Sequence, residues 1–457
     1  QNLGFCTLEE NVFDVNSGAY LDPVVIQDFS LWVESKYSSE NVKSNIESVI
    51  EAVFKKKIID DLLNQLALRA GLTWRELFLI DAYCRYMLQI KFIYSQAFIR
   101  NTLVKNPAIT ELLVKLFYAR LCPSTHDADS AGAIEKKIKN SMMRVMDSSE
   151  DHVLAKMLEL INNTLRTNFF QNSSSGESKD YVSFKFDSKN IYDLPLPKPH
   201  TEIFVYSVKM EGVHLRGGKI SRGGLRWSDR VEDYRTEVLG LMKAQVTKNS
   251  IIVPEGAKGG FLVKDSEKFK DRKEIISAGI RCYKTFLRGL LDITDNLVSG
   301  KTVKPQGVIC KDEDDPYLVV AADKGTATFS DTANDVAREY NFWMGDAFAS
   351  GGANGYDHKK MGITARGAWV SVTEHLGKLG INPQKDEFTS VGIGDMSGDV
   401  FGNGMLLSEN IKLVAAFNHM HIFLDPSPSA KSSYKERRRL FEKPGSQWSD
   451  YSAEVLS

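Results

Sequence analysis

The stretch VPEGAKGGF, Val253–Phe261, is entered from a β-branched run, SIIVP, and three of its nine residues are glycine. The run reads as a short buried strand. Segments with helical spacing flank it: VEDYRTEVLGLMKAQVTKN, from Val231, and EKFKDRKEIISAGIRCYKTFLRGLLDIT, from Glu267. YLVVAAD, ending at Asp323, reads as another buried strand, while YVSFKFD and EIFVYSVKM alternate as strands do. Strands alternating with helices indicate an α/β domain.

Lys258, set among these glycines, is open to three readings: a phosphate grip, a tight turn, or acid–base chemistry. A phosphate loop requires GxxxxGK followed by Ser or Thr, but Gly259 follows Lys258. That excludes the cradle and leaves turn and base both open. A lysine acts as a base only when burial or neighbouring cations bring its pKa towards neutrality. Lys243 and Lys248, just upstream, are such cations.

Three further clusters carry chemistry. GGKISRGGLRWSDR, Gly217–Arg230, sets Lys219, Arg222, Arg226 and Arg230 among four glycines. Glycines let long side chains converge on a small ligand, and arginines hold carboxylates bidentately; the alternative is a solvated hairpin. Asp323 falls at a strand end, where α/β sheets place ligands, or else serves as a turn or cap residue. The KDEDD run nearby, Lys311–Asp315, reads as a solvated loop. TSVGIGDMSGDVFGNG places Gly392, Gly394 and Gly398 between an apolar strand and a helix expected from about Ser397. That spacing is one residue longer than GxGxxG. The next strand, KLVAAFNHMHIFLDP, ends at Asp425, where an acidic residue binds a ribose 2′-hydroxyl and favours NAD. Asp395 and Asp399 are discordant there, because carboxylates repel phosphate.

Upstream, residues up to about 170 read as mainly helical. Thr73–Val104 has apolar residues at helical spacing and opens on Thr73 with Glu76 three positions on, a capping box. QNSSSGESKD, Gln171–Asp180, reads as a linker. The expected organisation is a mainly helical region at 1–170, an α/β domain at 181–364, and a further unit with the glycine turn at 365–457.

The 457 residues carry a net charge of −1 with 42% hydrophobic and 26% charged residues, which points to neither a nucleic-acid nor a membrane partner. No apolar run approaches the ~18 residues of a membrane span. The start, QNLGFCTLEENVF, lacks the pattern of a secretion signal and has no initiating Met, as in a fragment or processed product. The five cysteines are scattered and read as buried thiols of a cytoplasmic protein. No metal-ligand spacing is present, and His419 and His421 read as ordinary strand residues.

Taken together, GGKISRGGLRWSDRVEDYRTEVLGLMKAQVTKNSIIVPEGAKGGF, KMGITARGAWVSVTEH and HIFLDPSPSA resemble the large NAD-dependent glutamate dehydrogenases. The likeness runs from roughly Gly71 onward and is strongest from Glu211. It implies a glutamate-dehydrogenase-like substrate domain followed by a Rossmann-like NAD domain, truncated here because such a domain needs strands beyond Asp425. It further implies oxidative deamination of L-glutamate to 2-oxoglutarate and ammonia, NAD as cofactor, and a homo-oligomer. By position in the motifs, Lys258 matches the family's catalytic lysine and Asp323 its catalytic aspartate. Lys248 resembles the lysine that holds the α-carboxylate, with Lys243 as a rival. Arg222 stands where small glutamate dehydrogenases have a lysine for the side-chain carboxylate, and Thr364 resembles the threonine at the domain junction. Two alternatives stand beside this reading: another amino-acid dehydrogenase, and an inactive fragment serving as a subunit or assembly module.

Overall fold

The computed structural model describes residues 2–15, 24–32, 40–248, 255–265, 269–326, 328–349, 351–355 and 361–457. The chain divides once, into Gln1–Gly352 and Ala353–Ser457. In the first unit a hairpin, β1 (Cys6–Val15) and β2 (Val24–Trp32), precedes the helices α1 (Glu40–Phe54), α2 (Gln65–Arg69), α3 (Trp74–Gln89), α4 (Gln96–Lys105), α5 (Pro107–Leu121), α6 (Ala128–Met142) and α7 (Ser148–Asn162). Strands β3 (Thr164–Thr167), β4 (Tyr181–Phe186), β5 (Thr201–Ser207), β6 (Met210–Arg216) and β7 (Ser221–Trp227) follow. Then come α8 (Tyr234–Lys248), β8 (Glu255–Val263), α9 (Arg272–Leu291), the short hairpin β9 (Asn296–Val298) and β10 (Lys301–Val303), β11 (Val319–Ala322) and α10 (Ser330–Glu339).

Thr73 caps α3 as expected: its side chain accepts from the Glu76 N–H, and Glu76 reaches back to the Thr73 N–H at 2.8 Å. The helical stretch from Thr73 to Val104 is nevertheless two helices, α3 and α4, with a new cap at Ser95. The N-terminal region is mainly helical, as expected, with a hairpin before its helices.

The central sheet has the order β11-β7-β8-β6-β5-β4-β3. β11, β7 and β8 run parallel, and the remaining pairs are antiparallel. Both faces are covered, so β5 is buried from Glu202 to Ser207 and carries an apolar run, Ile203–Tyr206. Phe204 and Tyr206 enter one core with α3, α5 and α7, while Ile203 and Val205 enter a second with α9 and α10. The segments 1–170 and 181–364 therefore do not separate. The helices of 1–170 pack on one face of the sheet, and the observed division after Gly352 falls short of the expected boundary at Thr364.

The central stretch also changes character. Its SIIVP run lies outside the described residues, and the strand is Glu255–Val263, the glycine segment itself. Glycine is a weak strand former, which hides such a strand from pattern reading. The compensation is tertiary: helix α8 crosses so closely that a Cβ at Gly256 would stand 2.6 Å from the Gln245 carbonyl carbon. One at Gly260 would stand 2.5 Å from Val238 Cγ2.

The KDEDD run is only in part a solvated loop: Lys311, Glu313 and Asp314 are exposed, but Asp312 and Asp315 are drawn into the sheet's ion pairs. Asp312 accepts from Arg166 and Lys185, and Asp315 from Lys185 at 2.7 Å and from Arg216. These three buried cations come from β3, β4 and β6, far apart in sequence. Burial pushes the Asp315 carboxyl up, but Lys185 and Arg216 outweigh it and bring its pKa down to about 2.

The second unit contains α11 (Ile363–Lys378), β12 (Phe388–Ile393), β13 (Ile411–Phe417), β14 (Ile422–Leu424) and α12 (Ala430–Glu442). β12 and β13 are parallel, and β14 turns back antiparallel to β13. Two corrections follow. The helix expected from about Ser397 is only a π turn, Val400–Gly404, and a 3₁₀ turn, Met405–Leu407. KLVAAFNHMHIFLDP is a hairpin rather than one strand, because the chain reverses at Asn418, whose side-chain oxygen accepts from the Met420 and His421 N–H groups at 2.9 and 2.7 Å.

Candidate active site

Three parallel strands position the candidate site. Where β7 meets β8, Arg222 pairs with Gly256, Leu225 with Gly259 and Arg226 with Gly260. By the two-residue period of strands, Arg222 and Arg226 share with Lys258 the face that packs against α8. Gly224 lies between the two arginines. A Cβ there would come within 3.2 Å of Asp323 Cβ, so the glycine leaves space beside the aspartate. Gly223 is tighter still: its Cβ would meet the Ala257 carbonyl oxygen at 1.6 Å.

Asp323 follows β11 directly, at its C-terminal end. A turn fixes it: its N–H donates to Thr326 Oγ1 at 3.0 Å, and that hydroxyl donates to the Leu225 carbonyl at 2.7 Å. Lys258 Nζ forms an ion pair with Asp323 Oδ2, both side chains remaining partly exposed. Arg226 lies alongside, its Nε 3.2 Å from Asp323 Oδ2 and its Nη2 3.4 Å from Oδ1. Burial pushes the Asp323 carboxyl up, yet hydrogen bonds and charge from Lys258, then Arg226, hold it below the usual aspartate value. An ammonium and a carboxylate thus stand together at a parallel-strand end, open enough to meet a ligand.

The remaining substrate candidates divide. Arg222 is exposed and has no hydrogen-bond or ion-pair partner among the described residues, so its guanidinium is available to an anion. Lys243 is exposed on α8, and the side chain of Lys248, the last residue of that helix, lies outside the described residues. In the second unit, Thr364 opens α11 and lines an apolar cavity of about 220 Å³ with Ala368, Trp369, Val372 and Val400. A cavity of about 650 Å³ in the first unit lies against Gln171, Lys179, Asp292 and Tyr340 and includes no candidate residue.

The glycine turn after β12 fits the close approach of a pyrophosphate only in part. Gly394 has φ +136°, a conformation that favours glycine, and a Cβ at Gly398 would stand 2.8 Å from the Asp395 carbonyl oxygen. However, Gly394 N–H already donates to Phe417 O and Gly398 N–H to Asp395 O. Gly392 instead gives way to Phe401, whose ring would lie 2.5 Å from a Cβ. Asp425 does not stand at the mouth of this turn. The hairpin carries it back alongside Val414, where it is buried and accepts from the Ser457 N–H and hydroxyl at 3.1 and 2.6 Å. The residue at the end of β13 is Asn418, whose amide donates to Asp395 Oδ1 at 2.8 Å. Pattern reading passed over Asn418 because the strand appeared to continue through it. Glu237, missed for a different reason, lies in α8 and accepts from Arg226 Nη1 at 2.7 Å. No motif marks it.

Against known proteins, residues 58–123 match the glutamate dehydrogenase helical motif 3. The NAD-specific glutamate dehydrogenase of Halomonas elongata is 50% identical over the whole chain, which spans 28% of that protein. The Pseudomonas aeruginosa enzyme of the same name is 55% identical over 87% of the chain and 25% of its own length. That of Mycobacterium tuberculosis is 47% identical over the whole chain and 29% of its length. Among solved structures, Plasmodium falciparum glutamate dehydrogenase covers 82% of the chain and 63% of its own, at 15% identity and a TM-score of 0.37, too loose a likeness to carry an argument. The decisive match is the model of the bacterial NAD-glutamate dehydrogenase catalytic domain, which takes in residues 137–457, and the chain belongs to that family.

Proposed function

We propose that this chain carries the catalytic residues for oxidative deamination of L-glutamate to 2-oxoglutarate and ammonia. The observation that supports it most directly is the ion pair between Lys258, within β8, and Asp323, at the end of the parallel strand β11, flanked by Arg226. Arg222 holds the side-chain carboxylate of the substrate, and its lack of a partner among the described residues favours a dicarboxylate over an apolar amino acid. Lys248 or Lys243 holds the α-carboxylate.

NAD, when bound, would supply the acceptor for the Cα hydrogen, and the turn from Gly394 to Gly398, after Gly392 in β12, would receive its pyrophosphate. Asp323 accepts a proton from the substrate ammonium, since a protonated amine cannot push electrons towards Cα. Lys258 in its neutral form takes a proton from the water that adds to the iminium carbon. As a cation it then steadies the oxygen that becomes the 2-oxo group. The second unit is in this reading the first part of a Rossmann-like domain. The enzyme is cytoplasmic and homo-oligomeric; the cysteines are free thiols, and among the described residues no helix is long and apolar enough to cross a membrane.

The test is Lys258→Ala in the full-length protein, measured as glutamate-dependent NADH formation beside an NAD titration. Turnover falls on the order of 10²–10⁴-fold, as for loss of a general base, while NAD binding is retained. Turnover within a few-fold of wild type would overturn the assignment.

A further inference from the structure

Arg226 is shared. Its Nη1 is 2.7 Å from Glu237 Oε1, whereas its two contacts to Asp323 are longer, at 3.2 and 3.4 Å. Glu237 is itself fixed by Ser228, whose hydroxyl donates to Oε2 at 2.7 Å. Both glutamate oxygens are thus engaged, and the side chain is only partly exposed, with a relative accessibility of 15%. The chain of contacts runs from Ser228 through Glu237 and Arg226 to Asp323 and Lys258, crossing from α8 to β7, β11 and β8. Resting on the reading of Asp323 as the proton acceptor, we propose that Glu237 is a positioning residue: by claiming part of the Arg226 charge, it keeps Asp323 basic enough to take the substrate's proton.

The charges around Asp323 set the direction. Lys258 faces it from β8 and Arg226 from β7, and the Lys324 main-chain N–H comes from its own turn. All three favour the carboxylate and weaken it as a base. Glu237, behind Arg226 on α8, is the counterweight. Its negative charge offsets the guanidinium and keeps Arg226 from closing fully onto Asp323. With glutamine at 237, the amide oxygen still accepts from Nη1, so placement is kept while the charge goes. The Asp323 carboxyl then becomes more acidic, and proton transfer from the ammonium becomes less favourable.

The experiment compares wild type, Glu237→Gln and Glu237→Asp in the full-length protein. In Glu237→Gln, kcat for glutamate oxidation falls about tenfold, a part of what general-base catalysis supplies. KM for glutamate changes less than about twofold, and the acid limb of kcat moves to lower pH by about one unit or more. Glu237→Asp, which keeps the charge, restores most of both. A second readout does not depend on turnover: the Asp323 carboxyl is titrated by ¹³C NMR on aspartate-labelled protein, assigned with Asp323→Asn, and its midpoint drops in Glu237→Gln. An unmoved midpoint, or loss of kcat and thermal stability together with no shift of the acid limb, overturns the positioning role. A wild-type protein without glutamate-dependent NADH formation would instead refute the proposed activity, and the NMR titration would still decide whether Glu237 sets the basicity of Asp323.

Discussion

Replacing Glu202 by alanine should destabilise the first unit more than any surface change, because it strands a buried charge. Arg235, in the first turn of α8, donates from Nε and Nη2 to the two oxygens of Glu202 on β5 at 2.7 and 2.6 Å. Both side chains have 0% accessibility. Arg235 Nη1 is buried without a hydrogen bond, so the guanidinium has no reserve partner once Glu202 goes. Burial disfavours the charged arginine, but Glu202 outweighs it and holds Arg235 protonated. Breaking such a pair from one side costs about 3–5 kcal/mol. At about 2 °C per kcal/mol, the lower end for large domains, the transition of this unit falls by roughly 6–10 °C. Calorimetry on Glu202→Ala measures the fall. The double variant Glu202→Leu/Arg235→Met removes both charges and should recover most of it, since the cost lies in the unpaired ion. A fall below about 2 °C, or a double variant no better than the single one, would refute the reasoning.

Asp315 carries a pH-dependent contribution. Its folded pKa, about 2, lies below the ordinary 3.8, so its stabilisation is present above pH 4 and lost as pH falls from about 4 to 2. It amounts to about 2 kcal/mol. Urea titrations across that window should show a flatter acid limb in Asp315→Asn, and an unchanged limb would exclude Asp315 as a source of acid lability. Gly223→Ala forces a methyl against the Ala257 carbonyl oxygen and should cost about 3 kcal/mol or more, with loss of turnover as β7 and β8 part. A Gly223→Ala protein with wild-type melting and activity would show that the two strands have slack.

How much of this was legible in advance depended on range. The Thr73–Glu76 capping box is a contact over three residues, so spacing alone found it. The strands YVSFKFD and YLVVAAD were visible because each carries its own apolar signal. VPEGAKGGF misled over its secondary structure. Its glycines mark close packing under α8, and a strand built for close packing has no side chains to announce itself. KDEDD misled over its environment, since its partners Arg166, Lys185 and Arg216 lie on three strands that only the sheet brings together. Asp425 misled over its position because one Asn-stabilised reversal at Asn418 converts a strand end into a hairpin arm.

The sequence by itself determined the chemistry on offer: a lysine among glycines, an arginine-rich glycine segment, an aspartate at a strand end, and a glycine turn after an apolar strand. Residue identity and short-range spacing suffice for these, because backbone freedom, charge and capping are local properties. Only the tertiary structure decided which of them meet. It placed Lys258 on Asp323, set Arg226 between Asp323 and Glu237, left Arg222 without a partner among the described residues, and bonded Asp425 to Ser457. Proton affinity and carboxylate binding depend on charges a few ångströms apart in space. Those distances are set by strand register and by how closely α8 crosses the sheet.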